Sequence, residues 1–205
     1  MFAPGRKPKV EWDVDALEDP LLAEYERARD QLHGADWREA LKELESLADR
    51  GSLMSMLLVA DAAREGWKYE QDLPDAEAWY EAAVEAGSAR GLFGLGRTHL
   101  AMGRFAEAIH ELEAAIARGF PAAYNVLAIM YFNGEGVPVD RWRAWKLWRK
   151  GAALGHLPAK RHMVHQALHG RFGLWGRVVA IVNLLPVAIE TGIVQTFTPY
   201  TDRRR

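Results

Sequence analysis

The sequence predicts an all-α fold, a right-handed α/α superhelical solenoid of about five helix-turn-helix repeats. Two recurrences predict it. Alanine stands eleven residues before each of the glycines at 51, 87, 119 and 155, and a second small residue stands nine after each preceding glycine. No β pattern of comparable weight competes with them.

The second helix of each pair is the easier one to place. The eleven-residue offset gives Ala40, Ala76, Ala108 and Ala144, and seven residues before the same glycines stand Leu44, Tyr80, Leu112 and Trp148. A small and a large side chain four apart share one helix face, and glycine supplies the left-handed stop. The first helices are marked by Ala28, Ala60, Gly96, Ala128 and the slightly larger Val164. Small side chains there let neighbouring helix backbones approach closely, as stacked pairs require.

The two markers of a pair lie 12 residues apart in Ala28–Ala40 and Gly96–Ala108, but 16 apart in Ala60–Ala76 and Ala128–Ala144. The additional residues belong to the connection between helices. Turn-forming segments sit where the frame needs them, at 33–36, 102–104 and 133–140. Asp36, Asp75 and Asp140 stand at or near the starts of second helices, where a carboxylate can satisfy free amides. One pair cannot bury its own apolar face, whereas stacked pairs make a continuous core.

Segment 122–156 closely resembles a Sel1-like repeat. The resemblance rests on Ala123, Leu127, Ala128, Tyr131, Gly134, Gly136, Val137, Asp140, Ala144, Trp148 and Gly155. Segment 52–88 is a weaker copy that keeps DAEAWYEAAVEAGS but lacks the glycine-rich loop. The segments ending at Gly51 and Gly119 resemble tetratricopeptide repeats, the latter through Gly96, Gly103, Phe105, Ala108, Ala115 and Pro121. The resemblance spans residues 20–156 and implies a helix-turn-helix architecture. The expected organisation is an extension over 1–19, repeats over 20–156, a degenerate terminal repeat with an apolar helix over 157–192, and a basic tail over 193–205.

Composition and motifs argue against chemistry. The absence of cysteine excludes disulfides and thiolate metal sites, and the first twenty residues lack the apolar core of a secretory signal, so a reducing cytoplasmic setting is expected. Phosphate loops, dinucleotide fingerprints, nucleophile elbows and H-E-x-x-H are missing. N-G-E-G-V-P at 133–138 joins two helices with no strand before it, so it reads as a turn. His162, His165 and His169 have metal-ligand spacing on one helix face, but no fourth ligand or orienting carboxylate is evident nearby. They read as a polar stripe, and no metal or cofactor is expected. Trp79, Trp145 and Trp148 fall at or beside packing positions rather than around a ligand. The chain is accordingly read as a non-enzyme.

The net charge of −2 hides a division. Residues 1–140 carry 14 Lys and Arg against 26 Asp and Glu, whereas residues 141–205 carry 12 against 2. One end is suited to an anionic surface or acidic partner, or to the acidic end of another copy. Nucleic acid fits poorly, because the basic excess is confined to one end without an alternating aromatic platform.

The expected function is a non-catalytic adaptor or scaffold that holds a protein or peptide in the concave groove. First helices line that groove, and the positions three before and one after each small marker face the ligand. They are Tyr25 and Arg29, Leu57 and Asp61, Phe93 and Arg97, Asn125 and Ile129, and Arg161 and His165, with Arg64 one turn beyond Asp61. Guanidinium groups beside aromatic rings suit a partner of acidic character. The alternative is a peripheral-membrane scaffold at the inner face of a membrane, anchored by the C-terminal segment. Val178–Ile189 is apolar nearly all round, broken only by Asn183 and Pro186, which is too short to span a bilayer. Three readings of this end stay open: a cap over the solenoid, a homodimer or partner seam, or a membrane contact. The contact residues for the last two are Phe172, Trp175, Arg177, Val182, Leu184 and Leu185.

Overall fold

A turn of three or four residues at each frame glycine closes one helix and opens the next. Gly87 (φ 96°) donates to the Val84 carbonyl at 2.9 Å, and Ser88 N–H donates to Ala83 O at 3.0 Å. The Ser88 hydroxyl then accepts from Gly91 N–H at 2.9 Å. Gly155 (φ 85°) repeats the device: His156 N–H reaches Gly151 O at 3.0 Å, and its Nδ1 accepts from Ala159 N–H at 3.3 Å. A β-carbon disfavours such left-handed backbone, and the six-to-one bond satisfies a carbonyl that the helix end leaves free.

The computed structural model describes residues 19–32, 34, 36–67, 70–174 and 178. Among these residues there are nine α-helices and no strand. They are α1 (Leu22–Gln31), α2 (Trp37–Asp49), α3 (Leu53–Glu65), α4 (Leu73–Glu85), α5 (Ala89–Ala101), α6 (Phe105–Ala117), α7 (Ala122–Asn133), α8 (Arg141–Ala153) and α9 (Leu157–Leu168). The chain forms two compact units that divide between Phe120 and Pro121. The apolar run Val178–Ile189 lies, beyond its first residue, outside the described residues.

In the first unit α1–α2, α3–α4 and α5–α6 are consecutive pairs. Ala28, Ala40, Ala60, Ala76, Gly96 and Ala108 are all buried, as are Leu44, Tyr80 and Leu112. The small markers are where backbones meet: a β-carbon at Gly96 would lie 3.0 Å from Leu112 Cγ and 3.2 Å from Ala108 O. Gly94, which the frame does not mark, lies closer still. A β-carbon there would stand 2.1 Å from Tyr80 Cε1.

In the second unit α7 pairs with α8, and α9 packs on both. Ala128, Ala144 and Val164 are buried, and Trp148 is 1% exposed. The Trp148 ring packs 5.4 Å from Phe132 and edge-on to His162 at 6.0 Å, and its indole N–H donates to Asn125 Oδ1 at 3.1 Å.

The two connection lengths are present. Residues 102–104 join α5 to α6, while 66–72 join α3 to α4 and 134–140 join α7 to α8. Asp140 caps α8 by accepting from Arg143 N–H at 2.8 Å. Asp75 does not cap α4; Asp72 does, accepting from Asp75 N–H at 3.0 Å. α4 starts at Leu73, so its capping position falls at Asp72, three residues before Asp75. Asp36 stands at the start of α2 without a side-chain cap bond.

Candidate functional site

Four of the groove residues expected from the frame line one pocket of about 270 Å³ in the first unit: Asp61, Arg64, Phe93 and Arg97. Tyr80, Arg90, Glu65, Gly94 and Phe120 complete it. α3 supplies Asp61, Arg64 and Glu65, α4 supplies Tyr80, and α5 supplies Arg90, Phe93, Gly94 and Arg97. The missing side chain at Gly94 is what lets the Tyr80 ring lie against α5.

Asp61 is the hub. Its Oδ1 accepts the Tyr80 hydroxyl at 2.5 Å and Arg64 Nη2 at 3.3 Å, while its Oδ2 accepts Arg90 Nη2 at 2.8 Å. Arg64 also pairs with Glu65 at 2.7 Å, and its Nε donates to the Tyr80 oxygen at 3.4 Å. Burial first, and then the Asp61 charge, push the Tyr80 phenol well above its ordinary range. The phenol is therefore a neutral donor to a carboxylate, a role that stabilises the cluster.

Arg97 is set apart. Among the described residues its guanidinium makes no hydrogen bond or ion pair, and it lies 5.7 Å from the centroid of the Phe93 ring. Burial, and secondarily the Arg64 cation, lower its pKa below the usual arginine value. Phe93 leans on Phe120 with ring centroids 5.0 Å apart. The pocket thus combines an unmatched cation with two aromatic walls.

The other expected residues are placed differently. Tyr25 is 5% exposed, a core-facing side chain rather than open groove surface. Leu57 is fully buried. Arg29 bonds Asp30 at 2.9 Å and lies over the Tyr25 ring. In the second unit Asn125 is engaged with Trp148, Ile129 is half-buried, and Arg161 and His165 are exposed. His165 stacks on His169 at 4.2 Å, and His162 turns toward Trp148. Among the described residues no three histidine or acidic side chains gather as a metal set. Phe172, expected at a membrane or dimer contact, is 7% exposed because its ring packs 4.7 Å from Trp145. Trp175, Arg177, Val182, Leu184 and Leu185 lie outside the described residues.

The frame missed Arg90, Glu65, Gly94 and Phe120, and it read Tyr80 as packing alone. Arg90 carries the only signal that could have found it: it lies seven residues before Arg97, on the same face of α5.

The Sel1 repeat family model matches residues 53–88 and 121–156. Those two segments are similar to Sel1 repeats. A tetratricopeptide repeat model matches residues 93–135. Among solved structures, a Sel1 repeat protein from Oxalobacter formigenes is 20% identical with a TM-score of 0.62, covering 90% of this chain and 85% of its own. A sel1 repeat protein from Klebsiella pneumoniae is 21% identical with a TM-score of 0.59, covering 90% of this chain and 97% of its own. The protective antigen c5321 of uropathogenic Escherichia coli, which displays an SLR fold, is 27% identical with a TM-score of 0.52. That match covers 63% of this chain, which spans only 29% of the antigen's length. No curated protein matches the sequence. The fold is an all-α repeat superhelix of the Sel1 type. Sel1-repeat proteins generally act as protein–protein interaction scaffolds, and the fold is typically non-catalytic.

Proposed function

We propose that this chain is a non-catalytic adaptor whose first-unit pocket holds a protein or peptide that presents a carboxylate to Arg97. One observation carries the reading: Arg97 is a half-buried cation that makes no hydrogen bond or ion pair among the described residues, in a pocket whose carboxylates, Asp61 and Glu65, are already bonded to Arg64 and Arg90. A desolvated cation gains more from an incoming anion than an exposed one does, and the planar guanidinium can take a carboxylate on two donors. Phe93 and Phe120 supply apolar area for the residue beside that carboxylate. The absence of cysteine suits a reducing compartment such as the cytoplasm.

The test is an array of peptides carrying a central Asp or Glu next to an apolar residue, each paired with its Asn or Gln twin. The wild-type chain binds the acidic member about tenfold more tightly, and Arg97→Met loses that preference while keeping its helicity. Equal binding of both twins by the wild type defeats the proposal.

A further inference from the structure

The second unit presents a different surface, on the outer face of α8. Trp142, Lys146, Arg149 and Ala153 follow one another at i, i+4, i+7 and i+11, a single stripe of the helix, and all four are exposed. Lys150 flanks the stripe. Trp142 is 59% exposed, and Leu154 just past the helix end is 51% exposed. Lys146, Arg149 and Lys150 make no ion pair or side-chain hydrogen bond among the described residues. At the N-terminal end of the stripe, Val139, Arg141, Trp142, Arg171 and Phe172 border an open cleft of about 550 Å³, with Asp140 its one carboxylate, already engaged in capping α8.

The frame shows that this face departs from its counterparts. One residue before the second-helix marker stand Glu39, Asp75 and Glu107, but Arg143 in α8. Five residues after it stand Glu45, Glu81 and Glu113, but Arg149. Two carboxylate positions have become guanidinium positions while the buried alanine stayed the same. Packing accounts for only one of the two: the Arg143 guanidinium lies 4.1 Å over the Tyr131 ring of α7, whereas Arg149 is exposed.

We infer that the α8 stripe of Trp142, Lys146 and Arg149, with Arg141 and Arg171 at its end, docks on an anionic phospholipid surface. Clustered cations gather at a negatively charged leaflet, and an indole seats at the headgroup level with its ring toward the acyl boundary. Among the described residues no helix is long and apolar enough to cross a membrane. Charge alone would equally suit the acidic helices of a second copy. The apolar side chains argue for lipid: among the described residues the large exposed ones gather in the second unit, at Val139, Trp142, Leu154, Leu157, Leu168, Leu174 and Val178. The first unit offers only Phe105, at 36%. The acidic face of another copy would match the charge but would offer Trp142 only Phe105 as a large exposed apolar side chain among the described residues.

The experiment is co-sedimentation of the full chain with vesicles of phosphatidylcholine alone and of phosphatidylcholine containing about a third phosphatidylserine. The wild type binds the serine-containing vesicles and not the neutral ones, and raised salt weakens the binding. Lys146→Glu with Arg149→Glu weakens it about tenfold or more, and the milder Lys146→Gln with Arg149→Gln weakens it to a smaller degree. Both sites are exposed and make no ion pair among the described residues, so circular dichroism shows unchanged helicity. Trp142→Ser lowers binding without removing its salt dependence. Three outcomes overturn the inference: equal binding to neutral vesicles; undiminished binding by the charge-reversed chain; or no vesicle binding at all with low-salt self-association that the reversal abolishes, which assigns the face to a second copy.

Discussion

The two units use one helical frame and put their charge to opposite uses. In the first, cations are turned inward: Arg64 is nearly buried, Arg90 is tied to Asp61, and Arg97 waits beside Phe93, while carboxylates occupy the outer positions of α2, α4 and α6. In the second, the interior of the pair is aromatic and amide, with Trp148 held by Asn125, and the cations stand outside on α8. The lesson is that the repeat specifies which positions are buried and leaves the sign of the exposed ones free. A repeat chain can therefore carry two unrelated surfaces without changing its core.

That contrast can be attacked at its strongest point first. Trp148 and Tyr80 hold the same frame position, but Trp148 donates to the neutral amide of Asn125 whereas Tyr80 donates to the Asp61 carboxylate. Trp148→Ala costs about 3–5 kcal/mol in urea denaturation, from lost burial and the resulting cavity. Gly94→Ala costs about 3 kcal/mol by driving a methyl into the Tyr80 ring. A buried glycine of the second unit is milder: Gly151→Ala meets the β-carbons of Ala159 and Tyr124 at 3.1 Å and Pro121 O at 3.5 Å, and costs about 1 kcal/mol or less. If the two glycine variants cost the same, the close approach at Tyr80 is not what fixes Gly94. Tyr80→Phe keeps the ring and removes the donor to Asp61, for a loss of about 1.5 kcal/mol.

The smallest effect separates the units by pH. Burial first, and the nearby His162 second, lower the His156 pKa from 6.5, so folding favours its neutral form, the form whose Nδ1 caps α9. The unfolded chain then binds the proton more readily. The stabilisation is complete above pH about 6.5 and falls as pH drops from there toward the folded pKa. In the first unit Glu77 works lower: burial raises its pKa, but donors from His99 and Arg104 together outweigh it and hold it below 4.5. Its contribution is present above pH about 4.5 and is lost as pH falls through the folded value. Urea midpoints measured from pH 7.5 to 5 should therefore fall less in His156→Asn, whose amide can still cap, than in the wild type. In Glu77→Gln the difference from wild type shrinks only below pH about 4.5.

Much of the fold was legible because small residues at close approaches leave a periodic trace. Ala40, Ala76, Ala108 and Ala144 are buried for the reason that makes them alanine, and the 12- and 16-residue spacings became short and long connections. The site was half legible. Asp61, Phe93 and Arg97 were found by counting from the markers, but counting could not show that Arg64 folds inward to Asp61 and Glu65 or that Tyr25 is sealed in the core. Those outcomes depend on which long side chains meet between helices, not on the helix period. Arg90 escaped because it lies a full two turns from Arg97. Phe172 misled for a related cause: an aromatic near a basic run suits a headgroup layer, yet its ring found Trp145 first.

The connections at Asp72 and Asp140 carry a last consequence. Each aspartate donates its own N–H to the last turn of the helix behind it, at Ala63 O (2.9 Å) and Tyr131 O (2.8 Å), and accepts with its carboxylate from the first turn of the helix ahead. One residue thus ties both helices of a hairpin across a span of nine residues. Closing so short a loop is fast, and the ordering cost falls before any distant contact must form. Folding should therefore begin at these two hairpins, and shortening either loop by one residue should slow refolding more than it speeds unfolding.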